Sequence, residues 1–409
     1  MAERVDWKTL DHTYLLPTYN RLPIAIARAK GNYLYDTEGN AYLDLFTGLA
    51  VNVLGHGHPT VLAALREQAD AFLHISNLFL NPPAIRLAQR LVACTFPGKV
   101  FFTNSGAEAT EAAIKLVHKW ARRRGDGREG FVVLKNSFHG RTLGALRLTR
   151  QRAVQQDFPT PPVPVYEVEP ENLAQVEAVL RAHRPAAVLV EPVLGSGGVI
   201  PLSDGYLQAL EGLCRAHGVL FGVDEIQTGM GRTGTLFAYQ QAGVTPDFLL
   251  FAKGVGGGLP LGGVIAGEKL ADAFAPGDHG STFAPSPLSA ACGNAVLQVL
   301  LDDGLLEEGR RAAAYLRERL EALCRAHPDA FEPVRGKGMM LGLPMKWPAE
   351  AVRALQQALL RQGFLFDVTQ RTVIRLLPPL TLAPDEVDAF VAALDACVRQ
   401  GMPVPGPTE

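Results

Sequence analysis

The sequence predicts an α/β protein with a large domain on a mainly parallel sheet and a smaller α+β domain. Three observations lead there. Short, nearly continuous apolar runs recur at Val100–Phe102, Phe131–Leu134, Ala187–Val190, Val219–Val223 and Phe248–Phe251, as expected of strands covered by helices on both faces. Segments of helical periodicity lie between several of them, notably 107–124, 171–182 and 204–216. The length, 409 residues, exceeds what one hydrophobic core usually organises.

The remaining elements follow in chain order. Residues 1–60 are interrupted by Pro17, Pro23, Gly31, Gly39, Gly48, Gly55, Gly57 and Pro59. Within them, GNYLYDTEGNAYLDL reads as a hairpin turning through Glu38-Gly39-Asn40. Val61–Phe72 and Ala84–Cys94 read as helices, and the tract FPTPPVPV (158–165) as an extended connection. One long helix is expected over 289–326, followed by strands at Met339–Leu343 and Val373–Leu376 and helices near 348–362 and 384–399. The expected division is therefore 61–310 for the large domain and 311–409 for the α+β domain, with 1–60 contributing to the small domain and the active site. The tail PVPGPTE is expected to be mobile.

Composition removes several classes of function. Hydrophobic residues at 47% and charged residues at 20% describe an ordinary globular chain. A formal charge of −2 gives no reason to expect nucleic acid or an anionic membrane as partner. The five cysteines are scattered and lack metal-ligand spacing, which fits a reducing compartment. The opening MAERVDWKTL holds no apolar signal segment, and no run approaches the roughly 18 apolar residues of a membrane span. A cytoplasmic location is the expectation.

Two places carry chemistry. Thr103-Asn104-Ser105-Gly106-Ala107-Glu108 joins a strand to a helix whose apolar face is Ala109, Ala113, Leu116 and Trp120. The first amides of such a helix point outward and suit a phosphate, and glycine allows close approach; helix capping by Asn104 or Ser105 is the bland alternative. Neither GxxxxGK[ST] nor a strand-led GxGxxG is present, so a nucleotide loop is not indicated. The second place is a pair. Asp224 ends an apolar strand, where a buried carboxylate needs a cationic or hydrogen-bonding partner. Lys253 follows another, ahead of Gly254-Val255-Gly256-Gly257-Gly258, and desolvation there favours a neutral, nucleophilic amine.

SGAEATEAAIK (105–115), FHGRT (138–142), VDEIQTGMGRTG (223–234) and AKGVGGGLPLGG (252–263) together resemble the class III aminotransferases of fold type I, enzymes that use pyridoxal 5'-phosphate (PLP). The separation of Asp224 and Lys253, 253 − 224 = 29 residues, fits that family, and the resemblance runs from about residue 18 to residue 385. It implies Lys253 as the Schiff-base lysine, which also moves the proton, and Asp224 as partner of the pyridine nitrogen. It further implies Ser105, Gly106 and Ala107 at the phosphate, Phe138 over the ring, Gln227 near the phenolic oxygen, and His139 and Glu191 in the same site. Thr282 is implied to reach the neighbouring subunit's phosphate, hence a homodimer with composite sites. The reaction implied is amino transfer to a 2-oxo acid and needs no metal.

On the substrate side, TYNRLP (18–23), FHGRT and RLLPPL resemble acetylornithine and ornithine aminotransferases, which implies Tyr19, Arg141 and Arg375 at substrate carboxylates. One string departs. Those enzymes carry a motif like EPIQGEGG, whereas this chain has Glu191-Pro192-Val193-Leu194-Gly195-Ser196-Gly197-Gly198, locally resembling dialkylglycine decarboxylase. Ser196 thus stands where a glutamate would mask Arg375, and Arg375 is expected to be more open to α-carboxylates. Cover by another acid, or an intervening water, are the alternatives. A decarboxylating transaminase, another amino donor, and a noncatalytic scaffold with this fold remain as other readings; intact Lys253 and Asp224 weigh against the last.

Overall fold

A computed structural model describes residues 5–402; the tail segment 403–409, and the first four residues of the opening string, lie outside them. Seven strands form the main sheet, in the order Gly98–Thr103, Gly262–Gly267, Phe248–Phe251, Leu220–Asp224, Ala187–Val190, Phe131–Leu134, Val165–Val168. The last five run parallel, and Gly262–Gly267 runs antiparallel to both its neighbours. Every residue of Phe131–Leu134, Ala187–Val190, Leu220–Asp224 and Phe248–Phe251 is buried, because helices cover both faces. Among the described residues, no helix is long and apolar enough to cross a membrane.

Apart from the long helix over 289–326, the predicted strands and helices are present with bounds shifted by a residue or two. Two strands of the main sheet go beyond the sequence reading. Gly262–Gly267 looked like part of a glycine turn, since half its residues have no side chain to pack. A side chain at Gly263 would stand 2.5 Å from the carbonyl of Phe101, so the strand is glycine-rich because its neighbours are close. Val165, the end of the expected proline-rich connection, instead opens an edge strand on Phe131–Leu134.

The long helix expected over 289–326 is two. A helix over Pro287–Leu297 loosens into a wide turn at Gln298–Asp302, where the amide of Asp303 donates to the carbonyl of Gln298, five residues back. Gly304 then takes φ 86, which an L side chain resists, and the second helix runs over Leu305–Ala326.

Two smaller sheets complete the fold. Arg335–Lys337, Met340–Pro344, Val373–Leu376 and Asp367–Thr369 form an antiparallel sheet in that order. The N-terminal hairpin pairs Tyr33–Asp36 with Ala41–Asp44, turning through Gly39 at φ 91. Ala41–Asp44 then pairs parallel with Phe364–Leu365, which ties the start of the chain to its C-terminal part.

Candidate active site at the strand ends

Four neighbouring parallel strands deliver their following residues to one edge of the sheet. Phe131–Leu134 leads to Phe138 and His139, Ala187–Val190 to Glu191, Leu220–Asp224 ends on Asp224, and Phe248–Phe251 leads to Lys253. The carboxyl edge of an open α/β sheet is where ligands are bound.

Asp224 is 3% exposed and held at both oxygens: Oδ1 accepts from the amide of Ile226 at 3.1 Å, and Oδ2 lies 2.7 Å from Nδ1 of His139, which leaves acceptor capacity on each. A carboxylate facing Nδ1 places the imidazole proton there. His139 is pinned through its backbone, its amide donating to Oγ1 of Thr149 at 3.0 Å and its carbonyl accepting from Oγ1 of Thr110 at 2.7 Å. Glu191 accepts from the amide of Phe138 at 2.8 Å, which seats Phe138 beside the same cluster. Burial pushes Glu191 up to about 7, against the pull of His139.

Lys253 opens the tight turn Lys253–Gly256 with φ 50, a left-handed conformation that costs a non-glycine residue on the order of 1 kcal/mol. Burial pulls its amine down to about 8; Asp224 opposes this, and Arg375 reinforces it. Lysine, aspartate, arginine and Glu191 therefore share one field.

The helix Gly106–Arg124 begins beside this cluster. Ser105 caps it, its hydroxyl accepting from the amide of Glu108 at 3.2 Å, and the Glu108 carboxylate reaches back to the amide of Asn104 at 2.6 Å. The next amides, of Gly106 and Ala107, have no intrahelical acceptor. Glycine at 106 has a reason the sequence did not show: a side chain there would meet Ile226 at 2.9 Å. Ile226 also donates its amide to Asp224, so the helix start and the acid share a wall. On the other side Oε1 of Gln227 is buried with no protein partner, and Gly195 leaves room for it.

Arg375 is 5% exposed, and its surroundings differ from the expectation. It is not left without a counter-ion by Ser196: Asp367 accepts from its Nε at 2.9 Å and from Nη2. Ser196 is held by its carbonyl, which accepts from Oγ1 of Thr369 at 3.0 Å and Nε2 of Gln370 at 2.8 Å. Asp367 is the site residue that sequence reasoning missed. The available signal was the hairpin Asp367-Val368-Thr369 against Val373-Ile374-Arg375, whose register sets the acid opposite the arginine.

Three residues are less closely gathered. Arg141 is exposed, its guanidinium carbon 5.8 Å from the centre of the Phe138 ring. Tyr19 is 74% exposed, with the Arg21 guanidinium over its ring. Thr282 is exposed too, on a loop tied down by Asn77 through the carbonyls of Ser281 at 2.8 Å and Ala284 at 3.0 Å. The hydroxyl of Ser281 accepts from Nδ2 of Asn104 at 3.1 Å, which sets the loop beside the start of the Gly106–Arg124 helix.

The pattern of the family "Aminotransferase class-III" matches residues 14–398. An acetylornithine aminotransferase of Caldanaerobacter subterraneus subsp. tengcongensis is 42% identical over 390 residues, 95% of this chain and 98% of that protein. Among solved structures, the ornithine aminotransferase of Toxoplasma gondii, with PLP at partial occupancy in its active site, superposes with a TM-score of 0.92 at 30% identity, covering 97% of this chain and 94% of that one. The N-acetylornithine aminotransferase of Stenotrophomonas maltophilia K279a gives 0.82 at 34% identity, covering 96% and 98%.

Proposed function

The chain belongs to the class III aminotransferases and is a PLP-dependent transaminase, and we propose that its donor is N-acetylornithine or a close relative and its acceptor 2-oxoglutarate. The observation that carries the proposal is the meeting at the sheet's carboxyl edge of Lys253, Asp224 held by His139 and Glu191 held by Phe138, together with a buried Arg375 on the smaller sheet. The full-length relative named acetylornithine aminotransferase supports the donor.

The residues present fit the cofactor. Gln227 carries a side-chain amide whose buried oxygen has no protein partner and whose NH2 can donate to a phenolic oxygen, the Gly106–Arg124 helix offers free amides to a phosphate, and Asp224 offers a carboxylate held rigid by His139. In the proposed arrangement Asp224 faces the ring nitrogen, Ser105, Gly106 and Ala107 take the phosphate, and Phe138 lies against the ring. When bound, PLP supplies an electron-poor ring that stabilises charge at the substrate carbon. Lys253 is the residue that would hold it covalently and would move a proton at that carbon; burial draws its amine down to about 8, which raises the share of the neutral form that can accept a proton. Arg375 takes a substrate carboxylate by a charge-assisted hydrogen bond, and Arg141 a second one at the mouth.

The active unit is proposed to be a homodimer. Leu78, Phe79, Leu80 and Phe283 are between 68% and 89% exposed on a single chain. Asn77 ties the two segments that carry them, so they form an apolar surface around Thr282 suited to a second copy.

A half-reaction panel tests the substrate reading. The absorbance of the PLP form is followed with N-acetylornithine, ornithine, lysine, 4-aminobutyrate, alanine, glutamate and 2-aminoisobutyrate. Fast conversion by N-acetylornithine, reversed by 2-oxoglutarate, is the expected result. The sequence Gly195-Ser196-Gly197-Gly198 favours one second reading, a decarboxylating transaminase; carbon dioxide released from 2-aminoisobutyrate would establish it instead.

A further inference from the structure

We propose that Asp367 is the specificity-setting partner of Arg375, a fixed acid that half-neutralises the arginine and aims its free end at a substrate carboxylate. The proposal rests on the transaminase reading above.

Its first support is register. Asp367 and Arg375 stand directly opposite each other between the antiparallel strands Asp367–Thr369 and Val373–Leu376, flanked by the pairs Val368 with Ile374 and Thr369 with Val373. Directly opposed residues project from the same face of a sheet, so the two side chains meet without leaving their strands.

The second support is the way the guanidinium is used. One carboxylate oxygen, Oδ2, takes both Nε and Nη2. Nη1 is buried and has no protein partner. A guanidinium presents five N–H groups in a rigid fork. With its Nε side occupied, the Nη1 and remaining Nη2 hydrogens still form an end-on pair that matches a carboxylate. Arg375 is itself more than nine-tenths buried, and its hairpin docks through Thr369 and Gln370 on Ser196, the neighbour of Gly195, which abuts the Gln227 side chain. The open end therefore lies beside the candidate site.

The third support is what stands at position 196. Ser196 is docked through its carbonyl onto Thr369 and Gln370, the strand end and turn that follow Asp367. Serine carries no charge, so the acid for Arg375 comes from the hairpin. The difference is mechanical. A glutamate on a loop swings away when a carboxylate arrives, and leaves the arginine fully charged. Asp367 is short and its backbone is paired into the sheet, so it stays. Arg375 then has the same partial neutralisation toward an α-amino donor, a terminal-amine donor and the oxo acid.

Asp367→Asn keeps an oxygen in place to orient Arg375 and removes the charge; Asp367→Ala removes both. Binding of glutarate, a dicarboxylate with no amine or oxo group to react, is measured on each PLP-loaded protein by its spectral shift, with folding checked by circular dichroism. Asp367→Asn is expected to bind glutarate about tenfold more tightly, the effect of one charge in a desolvated site. It should also raise glutamate relative to N-acetylornithine as donor. Asp367→Ala should bind glutarate more weakly than Asp367→Asn, because the free guanidinium is no longer aimed. Ser196→Glu should lower glutarate binding in the Asp367→Asn background more than in the wild type. An Asp367→Asn protein that is folded and loaded, yet matches the wild type within twofold in both glutarate affinity and donor ratio, overturns the proposal. If no amine converts the wild type while glutarate binding still responds to Asp367, the transaminase reading has failed and the pairing stands.

Discussion

Gly195→Ala tests the Gln227 arm of the site. A methyl group at Gly195 would stand 1.8 Å from Oε1 and 2.8 Å from Cδ of Gln227, and 2.8 Å from Cε of Met340. The first distance is far inside contact, so the amide must leave its place. It is the end of a flexible side chain, and the backbone need not follow, so the fold is expected to survive. What is lost is the hydrogen bond proposed between Gln227 and the phenolic oxygen of the cofactor. Such a bond is worth on the order of 1 kcal/mol net, or about a fivefold loss of affinity. Pyridoxamine 5'-phosphate is the suitable probe, because it keeps that oxygen and cannot bond covalently to Lys253. Its dissociation constant is measured by titrating apoprotein, alongside a thermal melt. Gln227→Ala should lose a similar amount. The double variant should lose no more than Gln227→Ala alone, since the new methyl then has no amide to displace. Unchanged affinity in Gly195→Ala, or additive losses in the double variant, would refute the reasoning.

Borohydride reduction of the holoenzyme followed by peptide mass mapping should place the cofactor mass on Lys253, and capture of PLP by apoprotein should quicken as pH rises through about 8; label on another lysine would reject the assignment. Glu225, 1% exposed and bonded to the hydroxyl of Thr228 and the amide of Tyr239, is pushed up to about 7 by burial, with Asp224 adding to the effect. Between about 4.5 and 7 the folded chain keeps a proton that the unfolded chain has released, so this group's contribution is present at low pH and is lost as pH rises through about 7. The raise, 7 − 4.5, corresponds to at most about 3 kcal/mol. Glu191 carries a like raise, so Glu225→Gln should make the urea midpoint fall less steeply between about pH 5 and about pH 8 in apoprotein without abolishing the fall. Parallel midpoint curves for the two proteins would contradict this. Mixing Lys253→Ala and Thr282→Ala subunits should restore activity if Thr282 completes the partner's site, because one site of each hybrid then has both residues; hybrids as inactive as their parents would place Thr282 in its own subunit's site.

The central strands and the residues at their ends were legible in the sequence. Phe131–Leu134, Ala187–Val190 and Phe248–Phe251 are continuous apolar runs because both faces are covered, and burial of that kind is written locally. Lys253 and Asp224 stood out because a charge directly after such a run has to have a purpose. Gly262–Gly267 was not legible, since its glycines answer to the carbonyls of Phe101 and Phe251 in neighbouring strands rather than to its own propensity. The break at Gly304 had a local signal in Asp302-Asp303-Gly304, but the helical periodicity on both sides outweighed it. The substrate end shows the same limit most clearly. The sequence marked Arg375 and the missing glutamate at Ser196, but a counter-ion is chosen by cross-strand register and distance. Only the tertiary pairing sets Asp367 against Arg375, because hydrogen-bonded strands bring together residues that no local pattern connects.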